Sequence, residues 1–224
     1  VNHVTTAPPP RRLRADAARN QQRIIAAARE LFADRGLEVT LDDVAEHAGV
    51  GVGTVYRRFA NKQELISEVF DQMVTGLAGA VDVALHHPDP WQGLVDLFDY
   101  SCRHIALNRG FGEVILELHD SMDRFVCMKD QIRPGMQAVI QRAKDAGALQ
   151  PDIEAGDFFA MVNMVDGMAG FARPVNPDVW ERYMALILNG VRGDGVPRLA
   201  LTQPPLTEEE VERAKAAAYT PRKR

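Results

Sequence analysis

The chain has 224 residues, 46% of them hydrophobic, and a formal net charge of −5, which is enough apolar material to bury a substantial core in one large domain or two small ones. No run approaches the roughly 20 uninterrupted apolar residues that a membrane span needs, and the opening residues are polar and proline-rich, so a cytoplasmic protein with no membrane partner is expected. Charge is divided unevenly: residues 1–62 hold ten Lys/Arg against seven Asp/Glu, and residues 63–224 sixteen against twenty-four, so a positive front precedes an acidic body, and phosphate contacts need only local positive charge.

In chain order, residues 1–17 contain Pro8, Pro9 and Pro10, then Arg11, Arg12 and Arg14, with no apolar periodicity; a disordered basic arm is expected. From about Ala18, Ile24, Ala28, Leu31 and Phe32 recur at helical spacing and Gly36 supplies a C-terminal stop. Thr40 can cap a short second helix with Leu41, Val44, Ala45 and Ala48 inward, Asp42 and Asp43 beside its positive end, and Gly49 as terminator. A third helix is expected from Gly51 to Phe59, before Asn61 and Lys62 open the next.

Longer amphipathic segments follow at 62–85, 91–107, 111–127, 131–146, 154–172 and 177–192, separated by breaks at Pro88 and Pro90, Asn108 to Gly110, Gly147 to Pro151, and Pro174 to Pro177. No β-alternating run and no repeat is visible, so the fold class is all-α. Residues 194–224 read as a polar tail in which Thr207 and Glu210 have capping-box spacing ahead of a further short helix.

The informative segment runs from Thr40 to Lys62. A helix-turn-helix lays one helix across the DNA backbone and pushes the next into the major groove, so the turn must be tight and the second helix slim at its front. Gly49, Gly51 and Gly53 meet that demand. Val55 and Phe59, four apart, face the core, which turns Val52, Thr54, Tyr56 and Arg57 to the other side. There Arg57 can pair with guanine or hold a phosphate, Thr54 and Tyr56 can donate hydroxyl hydrogen bonds to phosphate oxygens, and Val52 can meet a thymine methyl. Thr40 and Lys62 stand near helix N-termini, where the dipole already favours an anion. Arg58 receives no assignment.

Thr40, Ala48-Gly49-Val50, Gly53-Thr54, Tyr56, Phe59 and Lys62 stand in the order and spacing that the TetR family shows, and the stretch closely resembles that family. With the preceding helix, the resemblance covers about one fifth of the chain; the remainder is similar in helix number and length. It implies a three-helix DNA-binding domain over 18–62, a mainly helical ligand-binding and dimerisation domain over 63–193, and a homodimeric repressor that binds double-stranded DNA and is released by a small-molecule effector. Many relatives carry Ser and Lys where this chain has Gly51 and Val52; Gly at a helix N-cap costs only a few tenths of a kcal/mol against a good cap, while the missing Lys shifts base reading toward Arg57 and the arginine-rich arm.

For the body, the resemblance implies that the segments 154–172 and 177–192 pair with their symmetry mates, with Ala160, Gly167 and Gly170 permitting close approach. Phe98, Cys102, Phe111, Ile115, Leu118, Met122, Phe125 and Met164 combine aromatic and sulfur-bearing side chains suited to an adaptable apolar pocket, and core packing explains them equally well. His104, His119 and Asn163 are polar candidates to orient a ligand. Cys102 and Cys127 form no metal-ligand spacing, and no cofactor or metal is expected. An all-helical enzyme would have to use Asp42, Asp43 and Glu46, or Asp120 and Asp123; helix capping accounts for the first group and the second lacks a partner motif, so catalysis is not expected. A DNA-binding dimer without an effector remains open.

Overall fold

The structure, a computed structural model, describes residues 11–106 and 121–219. Those residues form helices α1 (Arg11–Arg35), α2 (Leu41–Ala48), α3 (Val52–Arg58), α4 (Lys62–His86), α5 (Pro90–Ser101), α6 (Ser121–Asp145), α7 (Ala155–Ala172), α8 (Trp180–Val191) and α9 (Glu208–Tyr219), with a π turn at Cys102–Ala106 continuing α5. The only pairing of β type among them is an isolated bridge between Leu149 and Arg192. The described chain divides at Asp71 and Gln72 into two compact units, inside α4 and beyond the border expected at Lys62.

In the first unit, α1 buries Ile24, Ala28, Leu31 and Phe32, α2 buries Leu41, Val44, Ala45 and Ala48, and the opening turns of α4 bury Leu65, Ile66, Val69 and Phe70. Removing these apolar surfaces from water holds the short α2, which would not persist alone, against the longer α1 and the start of α4. Helix α1 begins at Arg11, which corrects the expectation of a disordered arm through residue 17: Ala15, Ala17 and Ala18 are strong helix formers and carry the helix back toward the arginines. Residues 1–10 of that arm lie outside the described residues. Gly36 follows α1 with φ of 69° and Gly49 follows α2 with φ of 61°, left-handed geometry that glycine adopts without a Cβ penalty.

The second unit has a core of Leu94, Phe98, Val139, Phe158, Val165 and Trp180, with Leu77, Val81 and Ala84 from the end of α4. Asp89 caps α5, accepting from Trp91 N at 2.9 Å and Gln92 N at 3.2 Å, and Pro90 occupies the first turn where its missing N–H leaves no gap. Helix α6 is continuous through the interval between 127 and 131 where two segments were expected, because Lys129, Asp130 and Gln131 include no breaker and the proline, Pro134, sits further along inside the helix. The α7 stripe of Phe158, Met161, Val162, Val165 and Ala169 is buried within this one subunit.

The start of the tail is held against α8. Asn189 and Leu199 exchange two hydrogen bonds, of 3.0 and 2.8 Å, and Arg182 donates to the Gln203 carbonyl at 2.9 Å. Thr207 and Glu210 close the expected capping box on α9, and α9 packs on α7 with Ala214 fully buried. Where the chain leaves α8, the Gly193 N–H donates to the Ala148 carbonyl at 2.8 Å, and a Cβ on Gly193 would collide with the Gly147 carbonyl oxygen.

Gly193→Ala is therefore expected to destabilise the fold by roughly 1–3 kcal/mol, the usual cost of overpacking against unyielding backbone. Urea unfolding monitored by circular dichroism checks this, and an unchanged midpoint would contradict the close crossing.

Candidate nucleic-acid interface

The α2–turn–α3 motif is bounded by caps at both ends of α2 and at the start of α4. Thr40 Oγ1 accepts from the Asp43 N–H at 3.1 Å while the Thr40 N–H donates to Asp43 Oδ2 at 2.8 Å, a reciprocal capping box that fixes the start of α2. At its end the Gly49 N–H returns to the Glu46 carbonyl at 3.0 Å. Arg23 on α1 reaches the Gly49 carbonyl at 3.2 Å and so braces the turn. Helix α3 then starts at Gly51 with no side-chain cap, as expected for a chain lacking the serine at that position. Asn61 accepts from the Glu64 N–H at 2.9 Å, and Glu64 reaches back to the Ala60 N–H, opening α4.

Val55 and Phe59 are 0% and 1% exposed, whereas Val52 and Tyr56 are 45% and 50% exposed. Gly53 and Arg57 are exposed on the same short helix, Thr54 is half-buried, and nothing stands within 4 Å of the place where a Gly53 Cβ would be. Arg57 donates to Thr54 Oγ1 at 3.2 Å, one turn back, so the two polar side chains lie together. Thr40 is exposed and Lys62 half-buried.

The electrostatics of this surface are mixed. The Tyr56 hydroxyl is held above its ordinary pKa by the negative charge of Asp42, to which it is also hydrogen-bonded, so it stays a proton donor. Asp43 is held below the usual carboxylate range, first by its side-chain hydrogen bond with Thr40 and then by the Thr40 N–H. Arg58 turns away from Arg57: its Nε donates to Gln21 Oε1 at 3.1 Å, and its guanidinium lies 3.7 Å from Glu68. No sequence spacing signals this link, because its members are far apart on three different helices.

The expected effector pocket is only partly represented. Phe98 and Phe158 meet edge to face, with ring centroids 5.1 Å apart. They help line a void of about 10 Å³ with Leu94, Ile140, Met161 and Leu188, all apolar, which is about the room one water occupies. Cys102 is fully buried outside that lining, and burial pushes its thiol pKa up to about 12, which keeps it protonated and unreactive at neutral pH. Met164 is 61% exposed, and its assignment to a pocket is corrected: it falls on the face of α7 opposite the buried stripe. Phe111, Ile115, Leu118 and His119 lie outside the described residues, as do the side chains of Met122, Phe125 and Cys127. His104 stacks on Tyr100 at 4.0 Å and Asn163 bonds the Phe159 carbonyl, both local structural contacts. Among the described residues no group of three or more His, Cys, Asp or Glu is placed to hold a metal, and no helix is long and apolar enough to cross a membrane.

Residues 24–69 match the family model described as bacterial regulatory proteins, tetR family, and residues 89–193 match the C-terminal domain of SbtR-like transcriptional regulators. The chain belongs to the TetR family. The HTH-type transcriptional repressor KstR2 of Mycobacterium tuberculosis is 26% identical over 188 residues, covering 77% of this chain and 93% of KstR2. A TetR transcriptional regulator from Streptomyces coelicolor superposes with a TM-score of 0.65 at 27% identity, over 78% of this chain and 99% of that one. A TetR regulatory protein from Mycobacterium vanbaalenii gives 0.63 at 28% identity, over 80% and 99%.

This TetR-family protein is a DNA-binding transcriptional regulator, and the all-α architecture of a helix-turn-helix domain followed by a helical C-terminal domain is the family's fold. Its first family match spans α2, α3 and the start of α4, the elements that present the outward surface just described.

The Asp43 cap makes a pH prediction. A carboxylate whose folded pKa lies below its unfolded one contributes stability above the unfolded value and loses it as pH falls through the folded value. Wild type is therefore expected to be more stable than Asp43→Asn at neutral pH, with the two converging below the carboxylate range. Thermal unfolding across pH checks this, and a constant difference down to strongly acidic pH would contradict it.

Proposed function

We propose that this TetR-family regulator is a repressor that grips a near-palindromic operator as a homodimer through the outward face of α3, and releases it when a small-molecule effector is bound. The observation that carries the proposal is the sidedness of α3: Val55 and Phe59 are buried while Val52, Tyr56 and Arg57 stand in solvent. In this reading Arg57 pairs with a guanine edge, Val52 meets a thymine methyl, and Gly53 lets the helix approach closely. Thr54 and Tyr56 donate to phosphate oxygens, and Thr40 and Lys62 add contacts at helix N-termini. For Tyr56 to reach a phosphate, its hydroxyl exchanges Asp42 for the DNA. Kinship with KstR2, a transcriptional repressor, supports repression over activation, and such a regulator works in the cytoplasm, where the DNA is.

The dimer face proposed is the outer side of α7 and α8. Phe159, Met164 and Leu186 are large apolar side chains left exposed there, and Gly167 and Gly170 have open space where a Cβ would be. Covering them with a second copy removes apolar surface from water and lets two helices approach closely. A twofold axis would then set two copies of α3 about 34 Å apart, one turn of DNA, or somewhat wider.

An effector releases DNA only by binding better to the arrangement that does not fit the operator. The void that Phe98 and Phe158 help line is about 10 Å³, so a small molecule held there needs that void to open. The second reading is a DNA-binding dimer that responds to no effector. Thermal shifts across a metabolite library separate the two: a ligand that stabilises the protein and lowers operator affinity supports release, and none doing so supports the second reading.

Two outcomes test the interface. Tyr56→Phe and Lys62→Ala are expected to weaken binding to all duplexes alike, with Lys62→Ala lowering the salt slope by about 1, whereas Arg57→Ala costs roughly 1–3 kcal/mol on the operator and relaxes preference at particular bases. Fluorescence anisotropy on operator and scrambled duplexes reads this, and three variants of wild-type affinity would refute the assignment. Phe159→Asp and Met164→Asp should convert the dimer to folded monomer with much weaker operator binding, as measured by analytical ultracentrifugation; an intact dimer in both would place the interface elsewhere.

A further inference from the structure

We propose that Arg58 is a positioning residue that sets the roll of the recognition helix, linking α3 to α1 and α4 through Gln21 and Glu68, and that it makes no DNA contact itself. The inference rests on the reading of α3 as the element that enters the groove.

Helix α3 has seven residues, and Val55 is its one buried side chain, with Phe59 following at its C-cap. It lacks a side-chain N-cap, and toward its leading end its polar ties are Arg23 to the Gly49 carbonyl in the turn and the Tyr56 hydroxyl to Asp42 on α2. Two apolar anchors four residues apart define a line of attachment and resist rotation about it weakly, and none of those ties acts at the trailing end. Arg58 adds a polar constraint there. Its Nε donates to Gln21 Oε1 on α1 at 3.1 Å, its Nη2 lies 3.7 Å from Glu68 Oε2 on α4, and Gln21 Nε2 closes the triangle on Glu68 Oε1 at 3.3 Å. The guanidinium also stands 5.0 Å from the centroid of the Phe59 ring, stacking the polar link on the apolar anchor.

Such an arrangement engages the arginine's charge inside the domain. The planar fork, with its donors directed to two partners on two helices, sets a direction that a single ion pair would not. Among the described residues its neighbour Arg57 bonds within α3, to Thr54. The two adjacent arginines thus do different work: one is available to the nucleic acid and the other holds the helix at the angle that makes it available. Because a third to a half of the Arg58 and Glu68 side chains is exposed, the link should affect global stability little, and its effect should be felt in the geometry of docking.

The test uses the full chain and a duplex selected by wild type from a random-sequence library, compared with a scrambled duplex. Two accounts of Arg58 predict opposite signs for Glu68→Gln. If Arg58 were a phosphate contact, removing the competing carboxylate would tighten binding. If Arg58 positions α3, Glu68→Gln weakens binding to the selected duplex, Arg58→Ala weakens it about tenfold, and the double variant is no worse than Arg58→Ala alone. Binding to the scrambled duplex then changes less, and the salt slope stays at the wild-type value. Melting temperatures measured in parallel should stay near wild type, and Gln21→Ala provides a second way to break the triangle if either charged variant folds poorly. Tighter binding by Glu68→Gln, additive losses, or a salt slope lower by about 1 in Arg58→Ala would overturn the proposal. Failure of the wild-type chain to select any duplex would instead overturn the interface reading on which it rests.

Discussion

The burial of two side chains, Val55 and Phe59, is the constraint on which the head of this protein depends. They stand four residues apart, so they occupy one side of a helix only two turns long, and sinking that side into the core leaves the other nowhere to go but solvent. A helix this short has little intrinsic stability; its existence and its orientation both come from those anchors and from the turn before it. Everything assigned to Val52, Thr54, Tyr56 and Arg57 follows from that division between an inward and an outward face.

Charge plays a subordinate and local part. The chain is net negative, and even beside α3 the carboxylate of Asp42 engages the Tyr56 hydroxyl. Of the two arginines at the end of α3, one is committed to Gln21 and Glu68. Of that pair Arg57 alone is left outward, so base reading on α3 leans on shape and on few directed contacts. Which face of α3 is presented is determined by packing.

Much of the head was legible because its signals are local. Thr40, Gly36, Gly49 and Asn61 act within a few residues of themselves, through caps and left-handed turns, and each ends or begins the helix its position implies. Thr207 and Glu210 announced α9 in the same way. Less legible were features that depend on distant partners or on the absence of a strong breaker. Alanines extend α1 back to Arg11 through what looked like an arm, and α6 runs unbroken where two segments were expected. The Arg58 triangle joins three helices and leaves no pattern in the sequence. Apolar character alone misled in the body: Met164 reads as a pocket residue, yet its angular position on α7 puts it outside, while the buried stripe serves the subunit's own core.

The central claim is that the outward face of α3 enters the major groove, and chemical protection by dimethyl sulfate tests it most directly, since guanine N7 is presented there and adenine N3 in the minor groove. On a duplex selected by the wild-type protein, the account predicts two clusters of protected guanine N7 positions, spaced by about one helical turn or somewhat more. Protection confined to adenine N3, with every guanine N7 as reactive as in free DNA, would contradict it.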